Sequence, residues 1–184
     1  MTEPPHCVVL VEGPSDAAVL DVIGRRLGLA APEVRVVSMG GVTNIRQHLD
    51  AYDGLTVTGL CDGSEMRFFA RALRRLGHDV ETRTDLETLG FFVCEDDLED
   101  ELIRALGADA VIEVVAREGE LGLWHTFQQQ PAQRGRSLHD QLHRFFGTKS
   151  GRKVRLATAL AGELDLDRVP GPLGGVLAFA RAAV

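Results

Sequence analysis

Val8-Val9-Leu10-Val11-Glu12-Gly13-Pro14-Ser15-Asp16 reads as an apolar strand that delivers a carboxylate into a Gly-Pro turn, with a second carboxylate four residues on, at the start of a helix. A glutamate closing a buried strand is costly to ionise without a partner, so the turn is a place for chemistry. The design recurs. Thr56-Val57-Thr58-Gly59-Leu60-Cys61 runs into Asp62-Gly63-Ser64-Glu65, and Gly90-Phe91-Phe92-Val93-Cys94 runs into Glu95-Asp96-Asp97-Leu98-Glu99. Three strands therefore end in acid.

A helix is expected after each strand. Ala17 to Gly28 has apolar positions at helical spacing and a glycine stop. The β-branched run Val34 to Met39, ended by Gly40-Gly41, leads into Thr43 to Leu49, which reads as a capped helix. Glu65 to Gly77 is amphipathic, and Leu98 to Leu106 is an acidic helix stopped by Gly107. Strands alternating with helices of this length call for right-handed crossovers, hence an α/β fold with a mainly parallel sheet and helices on both faces. In such a sheet functional groups gather at the carboxyl ends of the strands, where all three acidic clusters fall. Val111-Ile112-Glu113-Val114-Val115 reads as a further strand, and the chain turns polar and Gln-rich from Trp124. Ser137 to Leu164 favours two helices separated near Gly147-Thr148-Lys149-Ser150-Gly151, and Pro170-Gly171-Pro172-Leu173 opens a short final helix. Residues 1–116 are thus expected to form the α/β domain, and 117–184 a mostly helical basic extension packed on it.

A chain of 184 residues can bury one sizeable core. With 45% hydrophobic residues and no apolar run near the ~20 residues of a membrane span, no membrane role is expected. The start, Met1-Thr2-Glu3-Pro4-Pro5, lacks the basic and apolar stretches of a signal peptide, so the expected location is cytoplasmic. Cys7, Cys61 and Cys94 lie on apolar strands without metal-ligand spacing and read as buried small hydrophobes. The net charge of −7 argues against a nucleic-acid partner until its distribution is considered. Between Gln133 and Arg155, Arg134, Arg136, Arg144, Lys149, Arg152, Lys153 and Arg155 face a single acid, Asp140.

Taken together, VEGPSDAAVL, VSMGGVTNI, GLCDGSE and DLEDELIRALG resemble, in order, the Toprim portion of the OLD (overcoming lysogenization defect) family nucleases, over roughly residues 6 to 108. The resemblance implies a Toprim-like (Rossmann-like) fold over residues 1–116 and divalent-metal-dependent cleavage of DNA. It also implies an ATPase domain, for which this sequence has no Gly-x-x-x-x-Gly-Lys-Ser/Thr, so it reads as a stand-alone Toprim protein for which a separate ATPase partner is conceivable. Independently of the family, phosphodiester hydrolysis needs an activated water and neutralised oxygens, which two Mg²⁺ or Mn²⁺ ions ~4 Å apart supply through hard oxygen ligands. Carried over by position, Glu12 and Asp16 match the acidic pair of the first strand, Asp62 the first acid of the second, and Asp97 and Glu99 the acids of the third. Ser64 stands where the usual motif has a second aspartate, which leaves that metal position weakened, water-filled or served by Glu65 next to it. The resemblance also implies a lysine at the scissile phosphate: Lys153 is the candidate and Lys149 the second, which with Glu12 and Asp62 makes the catalytic set. Arg134, Arg136, Lys149 and Arg152 are expected to hold the phosphates of DNA without reading bases.

Plainer readings stand beside these. Asp97 and Ser15 could cap helices, and Asp16 could complement a helix dipole. Glu95, Asp96, Asp100 and Glu101 read as a solvated helix face, Gly40-Gly41 as a tight turn, and His139 and His143 as surface polar residues on one helix face. Trp124 and Phe127 read as anchors of a core edge, and the arginine-rich segment could pair with the acidic half within the chain. The expected function is a metal-dependent nuclease. The alternatives are nucleotidyl transfer or nucleotide hydrolysis, and a non-catalytic metal- and nucleic-acid-binding module.

Overall fold

In the computed structural model, which describes residues 5–29 and 32–184, the first apolar run becomes β1 (Cys7–Val11), every residue of it buried. Side chains alternate across a strand. Val8 and Leu10 therefore enter one core with Met39, Ile45, Phe69 and Leu73, while Cys7, Val9 and Val11 enter another with Leu20, Ile23, Leu156 and Leu177. A strand covered on both faces has no reason to alternate polar and apolar residues, which is why this one is a continuous aliphatic run. It pairs in parallel with β2 (Val34–Ser38) and β3 (Thr56–Cys61), and β3 pairs in parallel with β4 (Phe91–Val93), giving the order β2-β1-β3-β4. The parallel α/β sheet expected from the alternation is present.

One face is covered by α2 (Ile45–Ala51), α3 (Met66–Arg75) and α4 (Arg83–Thr88). The other carries α1 (Pro14–Arg26), α9 (Arg152–Glu163) and α10 (Gly171–Ala182), with α5 (Leu98–Leu106), α6 (Ala108–Arg117), α7 (Leu121–Gln128) and α8 (Leu138–Phe146) extending the same core. Arg26 at the end of α1 donates to the carbonyls of Ala161 and Leu164, both at 2.8 Å, and so ties α1 to the end of α9. Val9 and Trp124 belong to one continuous apolar cluster, so the helices beyond residue 117 share the core of the sheet. No helix among the described residues is long and apolar enough to cross a membrane.

The expected strand at Val111–Val115 is instead the middle of α6. Its buried residues, Val111, Val114 and Val115, fall at i, i+3 and i+4, a helical stripe whose β-branched composition suggests a strand. The helix α4 was not anticipated, although Thr82 and Asp85 form the capping box that starts it: Asp85 N–H donates to Thr82 Oγ1 at 3.2 Å and Thr82 N–H to Asp85 Oδ2 at 2.7 Å. The three cysteines are free and buried, and Trp124 and Phe127 lie in the core, as expected.

Candidate metal centre at the strand ends

β1, β3 and β4 end side by side, and their following loops are stitched together by backbone. Gly63 N–H donates to the carbonyl of Asp96 at 3.0 Å, and a Cβ on Gly63 would lie 2.2 Å from the carbonyl oxygen of Glu95. Only glycine allows these two acidic loops to approach so closely. The first loop is fixed from within: Gly13 N–H donates to Asp16 Oδ2 at 2.8 Å, which sets the Asp16 carboxylate at the opening of α1.

Glu12, Asp62 and Glu65 converge, with one carboxylate oxygen of each within 4.8 Å of the others. Burial pushes the Asp62 carboxyl up to about 7, with repulsion from Asp16 and Asp97 adding to the shift. Burial, then a hydrogen bond and charge repulsion with Glu12, push Glu65 up to about 8. Burial also raises Asp16, in spite of the Gly13 hydrogen bond and the charge of Lys153. These groups share one electrostatic neighbourhood that is short of positive charge.

The third strand end is better supplied. Asp97 caps α5 by accepting from Asp100 N–H at 2.9 Å and also contacts His143 Nε2 at 2.7 Å. Burial opposes its ionisation, but the hydrogen bonds from His143 and the Asp100 amide outweigh it and hold Asp97 below the usual carboxylate range. Glu99 is 2% exposed; its Oε2 lies 2.9 Å from Lys153 Nζ and its Oε1 has no hydrogen-bond partner. Burial raises Glu99 and Lys153 only partly offsets it. For Lys153 burial works against the charge, yet Glu99, Asp16 and Asp97 outweigh it and raise the ammonium above its ordinary value.

Several expectations need correction. Asp100 and Glu101 are buried rather than on a solvated face: Arg104 lies 2.7 Å from Asp100 and 3.2 Å from Glu101, His139 meets Asp100, and Glu101 accepts from Glu95 N–H at 2.9 Å. His139 and His143 are not idle surface groups, because α8 lays both against the start of α5. Arg152 is 5% exposed, paired with Glu120 and stacked with Cζ 4.0 Å from the centre of the Phe145 ring, so it has no free face for a phosphate. Arg155 pairs with Glu120 and with Glu118, the latter at 2.7 Å. Arg134, Arg136 and Lys149 are exposed, and none of them forms an ion pair among the described residues. Ser64 is exposed beside the cluster, whereas its neighbour Glu65 points into it.

His143 is the residue that sequence reasoning missed. Its pairing with His139 at i, i+4 was visible, but its partner Asp97 lies 46 residues earlier. The donor set fits a hard divalent cation: the converging atoms are carboxylate oxygens, and Glu65 Oε2 and Glu99 Oε1 are buried without hydrogen-bond partners. A cation at the Glu12, Asp62 and Glu65 cluster would meet the Glu65 carboxylate and relieve the repulsion that raises Asp62 and Glu65.

Residues 6–61 match the family model described as overcoming lysogenization defect protein-like, TOPRIM domain. Among solved structures, the C-terminal region of the Xanthomonas campestris pv. campestris OLD protein is similar with a TM-score of 0.71 and 24% identity, over 97% of this chain and 96% of that one. The C-terminal region of the Burkholderia pseudomallei OLD protein gives a TM-score of 0.69 and 20% identity, over 98% of this chain and 99% of that one. No curated protein matches the chain. The chain thus carries a Toprim domain resembling that of OLD proteins, as the sequence motifs implied, and the helices after it belong to the shared fold. A domain of this type points to a metal-dependent role connected with nucleic acids.

Proposed function

We propose that this protein is a divalent-metal-dependent nuclease that hydrolyses DNA phosphodiester bonds at the acidic strand ends. The observation that carries the reading is the convergence of Glu12, Asp62 and Glu65, with the carboxyls of Asp62 and Glu65 raised and a buried orphaned oxygen on Glu65, near a lysine held by Glu99. Glu12, Asp62 and Glu65 would hold one Mg²⁺ or Mn²⁺, with Asp16, Asp97 and Glu99 available to a second. When bound, the ions supply a water of lowered pKa and neutralise charge on the attacking and leaving oxygens.

The side chains have separable tasks. Asp16 is kept in place by the Gly13 amide, and Asp97 by the Asp100 amide and His143, so neither needs to reorganise as a substrate arrives. Lys153 has a raised pKa and stays protonated at neutral pH; with about half of its side chain exposed, it can meet the non-bridging oxygens of a phosphate where negative charge builds up. Glu99 anchors that ammonium from the buried side. The ATPase implied by the OLD resemblance would lie outside this sequence.

Supercoiled plasmid incubated with the protein in EDTA, Mg²⁺ or Mn²⁺ tests the reading. The expected result is conversion to nicked or linear DNA with metal only, reduced by a factor of about 10² or more in the Glu12→Ala/Asp62→Ala variant. No conversion by the parent, or equal conversion by the variant, would overturn it.

A further inference from the structure

We propose that the exposed arginines of α3, Arg67, Arg71 and Arg75, form the track along which the phosphate backbone of a nucleic-acid strand leaves the acidic strand ends; this rests on the nuclease reading and names where its substrate lies. Arg67, Arg71 and Arg75 recur at i, i+4 and i+8 and are exposed, and none of them forms an ion pair among the described residues. A rise of ~1.5 Å per residue sets them ~6 Å apart along the helix, comparable with the separation of successive phosphates on one strand. Arg71 and Arg75 also line a groove with Thr43, just before α2, and with Arg46 of α2, whose Nε is held by Asp50 at 2.8 Å. Arg74 faces elsewhere and is committed to the Val80 carbonyl at 2.6 Å.

Position connects the row to the chemistry. Glu65 of the acidic cluster is the N-cap of α3 and Arg67 lies in its first turn, with Cζ 5.0 Å from the centre of the Phe68 ring, so the row begins where the acids end and runs away from them. The arrangement works against the isolated helix. Like charges at i, i+4 repel one another, and a cation in the first turn opposes the helix dipole. Solubility gives no reason for it in a chain of net charge −7, where added positive charge lowers the magnitude. A polyanion relieves both costs. A protein partner is the poorer fit, because the row has no large exposed apolar side chain to act as an anchor before Leu76, just past its end.

This moves the strand-binding surface from the C-terminal basic segment to the opposite face of the sheet, since Arg152 and Arg155 are consumed by Glu118 and Glu120. The test is titration of a fluorescent DNA oligonucleotide, in EDTA so that no cleavage intervenes, at stepped KCl concentrations. The proteins compared are the parent, Arg67→Gln/Arg71→Gln/Arg75→Gln, and Arg134→Gln/Lys149→Gln. The expected result is a slope of log K against log salt shallower by about two to three in the α3 variant, and unchanged in the C-terminal variant. An unchanged slope in the α3 variant, or a loss confined to the C-terminal variant, would overturn the proposal and leave the row to a partner of another class. Hydrolysis of bis(p-nitrophenyl) phosphate with Mn²⁺ separates the two readings, because this diester is too small to reach the row. The α3 variant is expected to match the parent on it, and a loss there would count against a purely strand-holding role. A parent inactive on both diester and plasmid would remove the nuclease reading while the salt slopes still decide the fate of the row.

Discussion

Two groups of charged side chains in this protein are withdrawn from water, and they are built on opposite terms. At the junction of α7 and α9, Arg152 and Glu120 are 5% and 4% exposed, and Arg155, Glu118 and the Phe145 ring complete a set in which each charge meets its opposite. At the strand ends the carboxyls of Glu12, Asp16, Asp62, Glu65, Asp97 and Glu99 outnumber the basic groups beside them, Lys153 at Glu99 and His143 at Asp97. The first group holds helices together and loses stability if a partner is removed. The second is left short of positive charge and gains stability when a carboxylate is removed or a cation arrives. The same residue types thus make a structural knot or a reactive site according to whether the local charge balances.

The largest effect on stability belongs to the knot. Arg152→Ala leaves Glu120 buried with Arg155 as its remaining partner, and urea unfolding is expected to show a loss of about 3 kcal/mol, toward the lower end for a broken buried pair. A loss below about 1 kcal/mol would mean that Arg155 alone balances Glu120, and the contrast with the strand ends would weaken. Next comes the pH dependence of metal affinity. Asp62 and Glu65 bind protons up to about pH 7 and 8, so a cation must displace protons at pH 6 and few at pH 8. Mn²⁺ affinity measured by calorimetry is expected to rise with pH across that window, by up to about tenfold per unit for each proton displaced. A flat profile would remove these two carboxyls from the metal site.

The smallest effect has the opposite sign to the first. The folded pKa of Asp62 lies above its unfolded value of ~4, so the folded state holds the proton more tightly and stability falls as pH rises from about 4 through about 7. Asp62→Asn removes that penalty. In EDTA at pH 8 its melting temperature is expected to exceed the parent's by about 2–4 °C, the shift of a gain near 1 kcal/mol in a chain of this size. A lower melting temperature would show that Asp62 is satisfied in the metal-free protein.

Much of the fold could be read from local pattern. Val8 to Val11, Thr56 to Cys61 and Phe91 to Val93 announce buried strands because both faces of the sheet are covered, and Gly28, Gly77 and Gly107 mark where helices stop. The error at Val111 to Val115 arose because β-branched residues at helical spacing satisfy two patterns at once, and packing decided for the helix. The acids at the strand ends were legible because position on a parallel sheet foretells their convergence. What they touch was not. Arg152 counted as one more basic residue until Glu120 appeared beside it, and Asp100 and Glu101 looked solvated until α8 and Arg104 covered them. Burial of a charge depends on partners distant in sequence, and a single chain read linearly carries no record of them.

Trp124, the single tryptophan of the chain, is 1% exposed, with its ring centroid 5.3 Å from that of Phe145, the ring on which Arg152 lies. Its fluorescence therefore samples the α7–α9 junction. An emission shift in denaturant follows the opening of the core that Trp124 shares with the sheet. A shift on adding Mn²⁺ to the folded protein would be an optical signal that loading at the strand ends is felt along α9, from Lys153 to the neighbouring Arg152.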